Sequence, residues 1–326
     1  MNTQPWISRI AILALSIAGL GLGSEAARAQ SYPNRPISFI VPYGPTSGND
    51  AIARILANKI SDNWGNPVVV VNRAGATGGV GLEATAKSAP DGYTIVIAST
   101  SQIINQHLSK VRYDFVKDFA PVSLSGTLAY SAAVLKTFPA KSLNELVAKA
   151  KASPGKLNFT GTIGSIAHFM GEMLKSGSNI DIVMIPNKLA ADAEADVLSG
   201  RVEIWFAPLN SVLPYAKTGR VTVLGVAGEK RAAELPDVPT MAEAGYPALD
   251  VTAAYFILAA AGTPKPVVTA LNREMVKAMA SKDVRDRLAA IGVEPMSSSP
   301  EEVGSLIKSE VARWGRIVKD SGIRLD

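Results

Sequence analysis

The hydrophobic pattern of the chain alternates between short apolar runs and amphipathic stretches. Continuous apolar runs occur at 37–41, 68–71 and 94–98. Such runs are typical of parallel strands that are covered on both faces. Between the first two runs, apolar residues recur at helical spacing from Ile52 to Ile60, which predicts an amphipathic helix. Asn49 and Asp50 precede this pattern and are placed to cap the helix.

A second alternating series begins near Ala129. Further strand-like runs lie at 157–160, 182–185, 202–206 and 221–226. Helical patterns at 168–175 and 190–198 separate some of them. The chain ends with a strand-like run and three helical segments, at 251–258, 264–280, 282–291 and 300–320. The alternation predicts an α/β fold with open, mostly parallel sheets, and the two series predict two lobes that enclose a ligand crevice.

The first 29 residues have the features of a secretory signal peptide. Arg9 precedes an apolar stretch at 10–22, and residues 27–29 follow the small-x-small cleavage pattern. We therefore expect cleavage near Ala29, with Gln30 as the first residue of an exported chain. The apolar stretch is shorter than the roughly twenty residues that a membrane span needs.

Composition narrows the range of functions. The chain has no cysteine, so neither disulfides nor a lipid-modified cysteine is expected. About three hundred residues can bury a large core without such crosslinks. The formal charge of +5 is not concentrated in a basic stripe, and no cluster of aromatic residues accompanies it. Nucleic acid is therefore excluded as a partner, whereas small anions remain compatible with the charge.

Three loops connect the carboxyl end of a predicted strand to the start of a helix, at 43–50, 75–81 and 160–165. The first N–H groups of a helix lack partners inside the helix and carry partial positive charge. Glycines let the backbone of such a loop approach a ligand closely. These loops predict a carboxylate site that needs no arginine, although ordinary strand-to-helix turns are the alternative explanation.

The predicted ligand contacts lie in these loops and after other predicted strands. In the three loops they are Tyr43, Thr46, Ser47, Gly48, Asp50, Ala76, Thr77, Gly78, Gly79, Thr160, Thr162, Gly164 and Ser165. Beyond the loops they are Thr100, Asn187, Pro208 and Asn210. For Asp50 a helix-capping role explains the residue fully and is favoured over the alternative, contact with a ligand amine.

An ordered set of motifs between Tyr32 and the C-terminal helix resembles the Bug-type substrate-binding proteins of tripartite tricarboxylate transporters. The motifs are YPNRPI at 32–37, IVPY at 40–43, NR at 72–73, GGVG at 78–81, APDGYT at 89–94, LPDVPT at 235–240 and EAG at 243–245. The resemblance implies a periplasmic binding protein with the two-lobed type II (Venus-flytrap) fold. It also implies that the protein binds a carboxylated solute and delivers it to a membrane permease.

The same resemblance implies where the lobes divide and adds one contact. Lobe 1 is expected to comprise 30–128 and 250–326, and lobe 2 to comprise 129–249. His168 matches a family histidine after the third loop, and a structural histidine is the alternative. No cofactor is implied, and a monomer is expected.

Two departures from the family pattern concern the ligand. The first loop lacks the family's Pro-Gly-Gly-x-x-Asp, so hydroxyls at Thr46 and Ser47 either donate to a carboxylate or stabilise a turn. Asn187 and Leu189 replace a tyrosine and a glycine, which leaves room on one wall and adds an apolar surface. An aromatic or otherwise bulky carboxylate becomes an alternative to an aliphatic dicarboxylate.

Other functions find less support in the sequence. The glycine run lacks the acidic residue that a dinucleotide site requires, and it lacks the Gly-Lys-Ser/Thr of a phosphate loop. Ser165 and His168 have no nucleophile-elbow motif around them, and His107 and His168 are the only histidines, which argues against enzymatic and metal chemistry. A ligand sensor for a signalling partner remains an alternative to a transport receptor.

Overall fold

One mixed sheet of nine strands connects the two series of elements. The computed structural model describes residues 32–45, 47–187 and 189–323, so the predicted signal peptide with its cleavage site near Ala29, and Thr46, lie outside the described residues. The elements all belong to a contact unit that begins at Arg35. The strands are β1 (Ile37–Val41), β2 (Val68–Asn72), β3 (Thr94–Ser99), β4 (Phe119–Leu135), β5 (Leu157–Gly161), β6 (Ile182–Pro186), β7 (Ile204–Pro208), β8 (Val221–Val226) and β9 (Thr252–Ala260).

The strand order is β2-β1-β3-β9-β4-β7-β5-β6, and β8 pairs with β4. β1 is parallel to both β2 and β3, and β5 is parallel to both β6 and β7. The pairs that β9 and β4 form are antiparallel. The predicted parallel arrangement therefore describes the outer strands, whereas the centre of the sheet is antiparallel.

β4 is the strand that belongs to both halves of the sheet. From Phe119 to Ala129 it pairs with β9, and from Tyr130 onward it pairs with β7 and β8. Its register with β9 shifts at two places, and Gly126 there has φ 138°. A Cβ on Gly126 would lie 2.7 Å from the carbonyl oxygen of Glu294, so glycine is required where that segment crosses. The sequence pattern did not predict this strand before Ala129, because proline, serine and glycine interrupt its apolar run.

Ten helices of the described residues cover the sheet. They are α1 (Gly48–Trp64), α2 (Gly79–Ala86), α3 (Thr100–Leu108), α4 (Leu143–Ala152), α5 (Ile166–Ser178), α6 (Ala190–Leu198), α7 (Leu209–Lys217), α8 (Lys265–Ala280), α9 (Lys282–Ala290) and α10 (Pro300–Ser321). The last helix ties the two series together, because the fully buried Trp314 packs edge-on against Phe169 with ring centroids 5.5 Å apart. None of the described helices is long and apolar enough to cross a membrane.

Several predicted elements have the bounds that the pattern indicates. β1, β8 and α6 match residue for residue. β7 begins and ends two residues later than predicted. The predicted caps of α1 are wrong: Ser47 is the N-cap, and its Oγ accepts a hydrogen bond from the N–H of Asp50 at 3.2 Å. Helix α1 therefore begins one residue before Asn49, because the serine supplies the oxygen that the first turn needs.

Candidate ligand-binding site

The first loop leaves two N–H groups unused at the start of α1. Ser47 Oγ accepts a hydrogen bond from the N–H of Asp50, and the Ser47 carbonyl accepts one from the N–H of Ala51. The N–H groups of Gly48 and Asn49 precede these in the helix, and no described residue accepts a hydrogen bond from either. Since helix ends favour negative charge, this turn can bind an anion through its backbone.

Asp50 is engaged by the protein itself. Its side chain is 5% exposed and accepts hydrogen bonds from Arg54 Nε at 2.9 Å and from Asn72 Nδ2 at 2.8 Å. Asn72 Nδ2 also reaches the carbonyl of Tyr43 at 3.0 Å. This network ties α1 to the end of β2 and engages Arg54, a cation of α1. The structure favours a structural role for Asp50 over contact with a ligand amine.

The glycine loop uses its own N–H groups. Those of Gly78 and Val80 donate to the carbonyl of Gly75 at 3.0 and 3.4 Å, and that of Gly79 donates to the carbonyl of Ala76. The predicted anion cradle at Gly78 and Gly79 is therefore replaced by a tight turn that precedes α2. The reason is a local one: the loop closes on itself in a 3₁₀ turn before the helix begins.

Two of the predicted contacts in this loop, Ala76 and Thr77, keep N–H groups that are unpaired among the described residues. Ala76 and Thr77 are exposed and have left-handed φ values of 48° and 53°. Non-glycine residues adopt this conformation at an energetic cost, and such strain concentrates at functional sites. No described residue accepts from the N–H of either, so the two N–H groups form a second backbone donor pair.

Gln102 connects the glycine loop to the first loop. The side chain is fully buried, and its Oε1 accepts from the N–H of Ser99 at 2.7 Å while its Nε2 donates to the hydroxyl of Tyr43. A Cβ on Gly78 would lie 2.7 Å from Gln102 Nε2, which explains the glycine there. Burial raises the pKa of the Tyr43 hydroxyl far above its usual value, so Tyr43 stays neutral. Gln102 was not among the predicted residues, since a glutamine in a helix carries no sequence motif.

The third loop resembles the first. Ser165 is the N-cap of α5, and its Oγ accepts from the N–H of His168 at 3.3 Å. No described residue accepts from the N–H groups of Ile166 and Ala167, the first two of the helix. These two residues add free donors to the third loop, whereas the N–H of the predicted Gly164 is used by His168. The apolar pattern predicted the start of this helix at His168, two residues too late, so Ile166 and Ala167 were not recognised as its first residues.

His168 serves the third loop as an acceptor. Its Nδ1 accepts from the N–H of Gly164 at 3.1 Å, so the neutral ring carries its proton on Nε2. The residue is 8% exposed, and burial lowers its pKa. The ring is therefore neutral at neutral pH and contributes no positive charge to an anion site. No described residue pairs with Nε2.

Three other predicted contacts are occupied by protein partners. The hydroxyl of Thr100, a fully buried residue, accepts from the N–H of Ala254 at 2.9 Å. Thr160, also fully buried, bonds to Asn187 Oδ1, and Asn187 Nδ2 donates to Asp196 at 2.8 Å. These side chains hold neighbouring elements together, and we do not carry them forward as ligand contacts.

Asn210 joins the second series to the C-terminal part of the chain. It lies in the first turn of α7, which Pro208 precedes, and its Nδ2 donates to the carbonyl of Ile291 at 2.7 Å. Its Oδ1 is buried and lacks a hydrogen-bond partner. A Cβ on Gly292 would lie 2.1 Å from Asn210 Cβ, so the two segments are in close contact. Asn210 was predicted to contact the ligand, but its Nδ2 instead bonds to another segment of the chain.

A cavity of about 260 Å³ lies beside the glycine loop. Ala76, Thr77, Asn105 and Arg112 are among its lining residues. All of the lining residues precede β4, and none belongs to the third loop. The cavity therefore adjoins one predicted loop and does not extend to the other half of the sheet.

Solved structures with this architecture are periplasmic binding proteins that have two lobes. A Rhodopseudomonas palustris protein crystallised with adipate is 30% identical, covers 90% of this chain and 99% of its own, and has a TM-score of 0.77. The MatC protein of Rhodopseudomonas palustris, crystallised with malate, is 27% identical, covers 88% and 100%, and has a TM-score of 0.73. The fold is accordingly the two-lobed α/β fold of periplasmic binding proteins.

The sequence identifies the family. The profile of the tripartite tricarboxylate transporter family receptor matches residues 52–323. The protein BugT of Bordetella pertussis is 35% identical over 320 residues, which is 97% of this chain and 98% of BugT. The chain belongs to the tripartite tricarboxylate transporter family receptors. Members of this family are solute-binding receptors, so the protein is not an enzyme.

Proposed function

We propose that the protein is a periplasmic solute-binding protein that captures a small carboxylate between two lobes and delivers it to a tripartite tricarboxylate-type permease. The observation that carries the proposal is the pair of unused N–H groups at the start of α1 and the matching pair at the start of α5. The adipate and malate seen with two related structures agree with a carboxylate as the ligand.

The proposed lobes are 30–128 with 250–326, and 129–249. The change of partner in β4 supports this division, because β9 pairs up to Ala129 and β7 from Tyr130. β9 begins at Thr252, close to the proposed return point. Helix α1 then belongs to lobe 1 and α5 to lobe 2, so a bound carboxylate solute contacts both lobes when they close.

The charge of the ligand is balanced by dipoles in this proposal. Arg54 is held by Asp50, and His168 is neutral. Each helix end contributes about 0.3–1 kcal/mol toward an anion in exposed geometry and about 2 kcal/mol when partly buried. The same arrangement discriminates against neutral solutes, since the dipoles gain little from them.

Asn187 and Leu189, which depart from the family pattern, support a ligand larger than an aliphatic dicarboxylate. Asn187 is held back by Thr160 and Asp196, and Leu189 is 64% exposed. If Leu189 lines the proposed site, its exposed side chain gives a carbon skeleton an apolar surface to contact. We therefore include aromatic carboxylates in the proposed ligand class.

The test measures thermal stabilisation of the mature protein by a panel of carboxylates and their neutral isosteres. Adipate, malate, glutamate, nicotinate and benzoate are compared with adipamide and benzamide. A ligand at one hundred times its Kd raises stability by about 2.7 kcal/mol, which a thermal shift detects. Stabilisation by neutral solutes and by no carboxylate would contradict the proposal. A deletion strain that keeps uptake but loses a transcriptional response would replace the transport role by a sensory one.

A matched pair of variants tests the helix end itself. Gly48→Pro removes one unused N–H group, and proline is well tolerated at the first position of a helix. Ser47 has φ −68° and ψ 160°, a conformation that a following proline accepts. We expect Gly48→Pro to weaken carboxylate binding about tenfold. Gly48→Ala keeps the N–H and adds a Cβ 3.6 Å from the hydroxyl of Tyr255, so the further loss in Gly48→Pro relative to Gly48→Ala measures the contribution of the N–H group.

A further inference from the structure

Two tyrosines beside the first loop are absent from the contacts that the sequence predicts. Tyr255 lies in β9 and is 7% exposed. Its Oη lies 3.6 Å from the position that a Cβ on Gly48 would take. Gly48 is the first residue of α1 and carries one of the unused N–H groups. The hydroxyl and the helix end therefore face the same space.

The hydroxyl of Tyr255 has no hydrogen-bond partner among residues 32–45, 47–187 and 189–323, whereas its carbonyl accepts from Ser125 Oγ at 3.2 Å. Among the described residues only Asn210 Oδ1 is a buried side-chain polar atom without a partner, so the oxygen of Tyr255 is open to solvent. A donor that the protein leaves unpaired next to a helix start is available to an anion.

Tyr130 brings a second hydroxyl from the other side of the crossover. It is the first residue of β4 that pairs with β7, opposite Pro208, and its carbonyl accepts from the N–H of Ala227 at 2.7 Å. Burial raises the pKa of the Tyr130 hydroxyl, and the nearby hydroxyls of Tyr255 and Tyr43 raise it further. Tyr130 and Tyr255 lie on the paired strands β4 and β9, with Gly126 opposite Tyr255. The described part of the chain offers no partner to the hydroxyl of Tyr130 either.

Tyr43 differs from the other two. Its oxygen accepts from Gln102 Nε2, which fixes the ring next to the glycine loop. Tyr43 therefore forms part of the scaffold, and the unpaired hydroxyls are those of Tyr130 and Tyr255. The separation in sequence between these residues is large, and only the pairing of β4 with β9 brings them together.

We infer that Tyr255 and Tyr130 are ligand-binding residues that donate their hydroxyl hydrogens to the captured carboxylate, one beside the start of α1 and the other from lobe 2. The inference rests on the proposed function and adds two side chains to its backbone donors. Hydrogen bonds to a charged acceptor are stronger than those between neutral groups. Burial raises the pKa of Tyr255 to about 12, so its hydroxyl remains a donor throughout the physiological range.

The test uses Tyr255→Phe and Tyr130→Phe, which remove only a hydroxyl and keep the ring. Tyr246→Phe is the control, because its hydroxyl donates to Asn144 Oδ1 at 2.9 Å on an exposed surface. Calorimetric titration with adipate, malate and benzoate gives the affinity, and thermal unfolding without ligand gives the stability of each variant.

We expect each of the two variants to lose about tenfold in affinity for the carboxylate that the wild type binds, and the unliganded melting temperature to stay that of the wild type. Tyr246→Phe should bind like the wild type. Unchanged affinity in both variants would overturn the inference while the proposed function stands. A loss of affinity that accompanies an equal loss of unliganded stability would assign the hydroxyls a structural role and also overturn it. Failure of the wild type to bind any carboxylate would overturn both.

Discussion

The first loop and the glycine loop look alike in sequence but end differently in the structure. Each follows a parallel strand and leads into a helix. In the first loop, Ser47 caps the helix and the N–H groups of Gly48 and Asn49 stay unused. In the glycine loop, the N–H groups of Gly78 and Gly79 bond within the loop. A serine cap therefore leaves the first N–H groups of its helix for a ligand, whereas the glycine turn uses those at the start of its helix and leaves only N–H groups that precede it, such as those of Ala76 and Thr77.

The difference shows what the glycines of the second loop contribute. Gly78 makes room for Gln102, and Gly81 makes room for the backbone near Pro42. Glycine here serves close packing of α2 against the end of β1 and its loop. The fewer glycines of the first loop have no such neighbours: a Cβ on Gly44 would meet nothing within 4 Å. Glycine content alone thus does not distinguish a binding loop from a packing loop.

Among the variants that test the difference between the two loops, Gly81→Ala should have the largest effect on the free energy of unfolding. The added Cβ would lie 2.8 Å from Pro42 Cα and 3.1 Å from the carbonyl oxygen of Arg73, and backbone atoms cannot move aside without displacing the strand ends. We expect a loss of roughly 2–3 kcal/mol in the free energy of unfolding, measured by urea denaturation. Gly48→Ala in the first loop is the matched control and should change it by less than about 0.5 kcal/mol. Equal effects in the two loops would remove the distinction.

A smaller effect is expected from Asp50→Ala, which separates support of the first loop from ligand binding. The variant removes the acceptor of Arg54 and Asn72. We expect the free energy of unfolding to fall by about 1–2 kcal/mol, since Arg54 is half exposed and its ion pair is partly screened. Affinity for a carboxylate should be retained, because the unused N–H groups remain. A selective loss of binding with unchanged stability would return Asp50 to the set of ligand contacts.

The smallest expected effect is that of Thr77→Gly in the glycine loop. Thr77 has φ 53° and ψ 37°, a conformation that costs a β-branched residue more than glycine. We expect the free energy of unfolding to rise by roughly 0.5–1 kcal/mol. Thr77→Val keeps the branched shape and should not gain stability. If both variants destabilise the protein equally, the backbone strain assigned to Thr77 is absent.

Much of the fold could be predicted from local patterns. Apolar runs located β1 and β8, and helical periodicity located α6 and the C-terminal helices, because burial on one or both faces leaves a short-range signature. The ordered motifs predicted the family, which the match over residues 52–323 confirms. The apolar pattern did not predict the first part of β4, because its pairing partner is distant in sequence and because polar and apolar residues are mixed in it. The lobe boundaries and the predicted ligand contacts stay predictions.

The chain by itself determined the alternation of strands and helices, the family and the positions of the strand-to-helix loops, because each depends on neighbouring residues. Tertiary structure decided which N–H groups of those loops remain unpaired, since that depends on how each loop closes. It also decided that Gly48 and Tyr255 meet, because a hydroxyl and a helix start that are two hundred residues apart come together only through strand pairing. The set of hydrogen-bond donors at the candidate site therefore depends on contacts between segments that are distant in sequence.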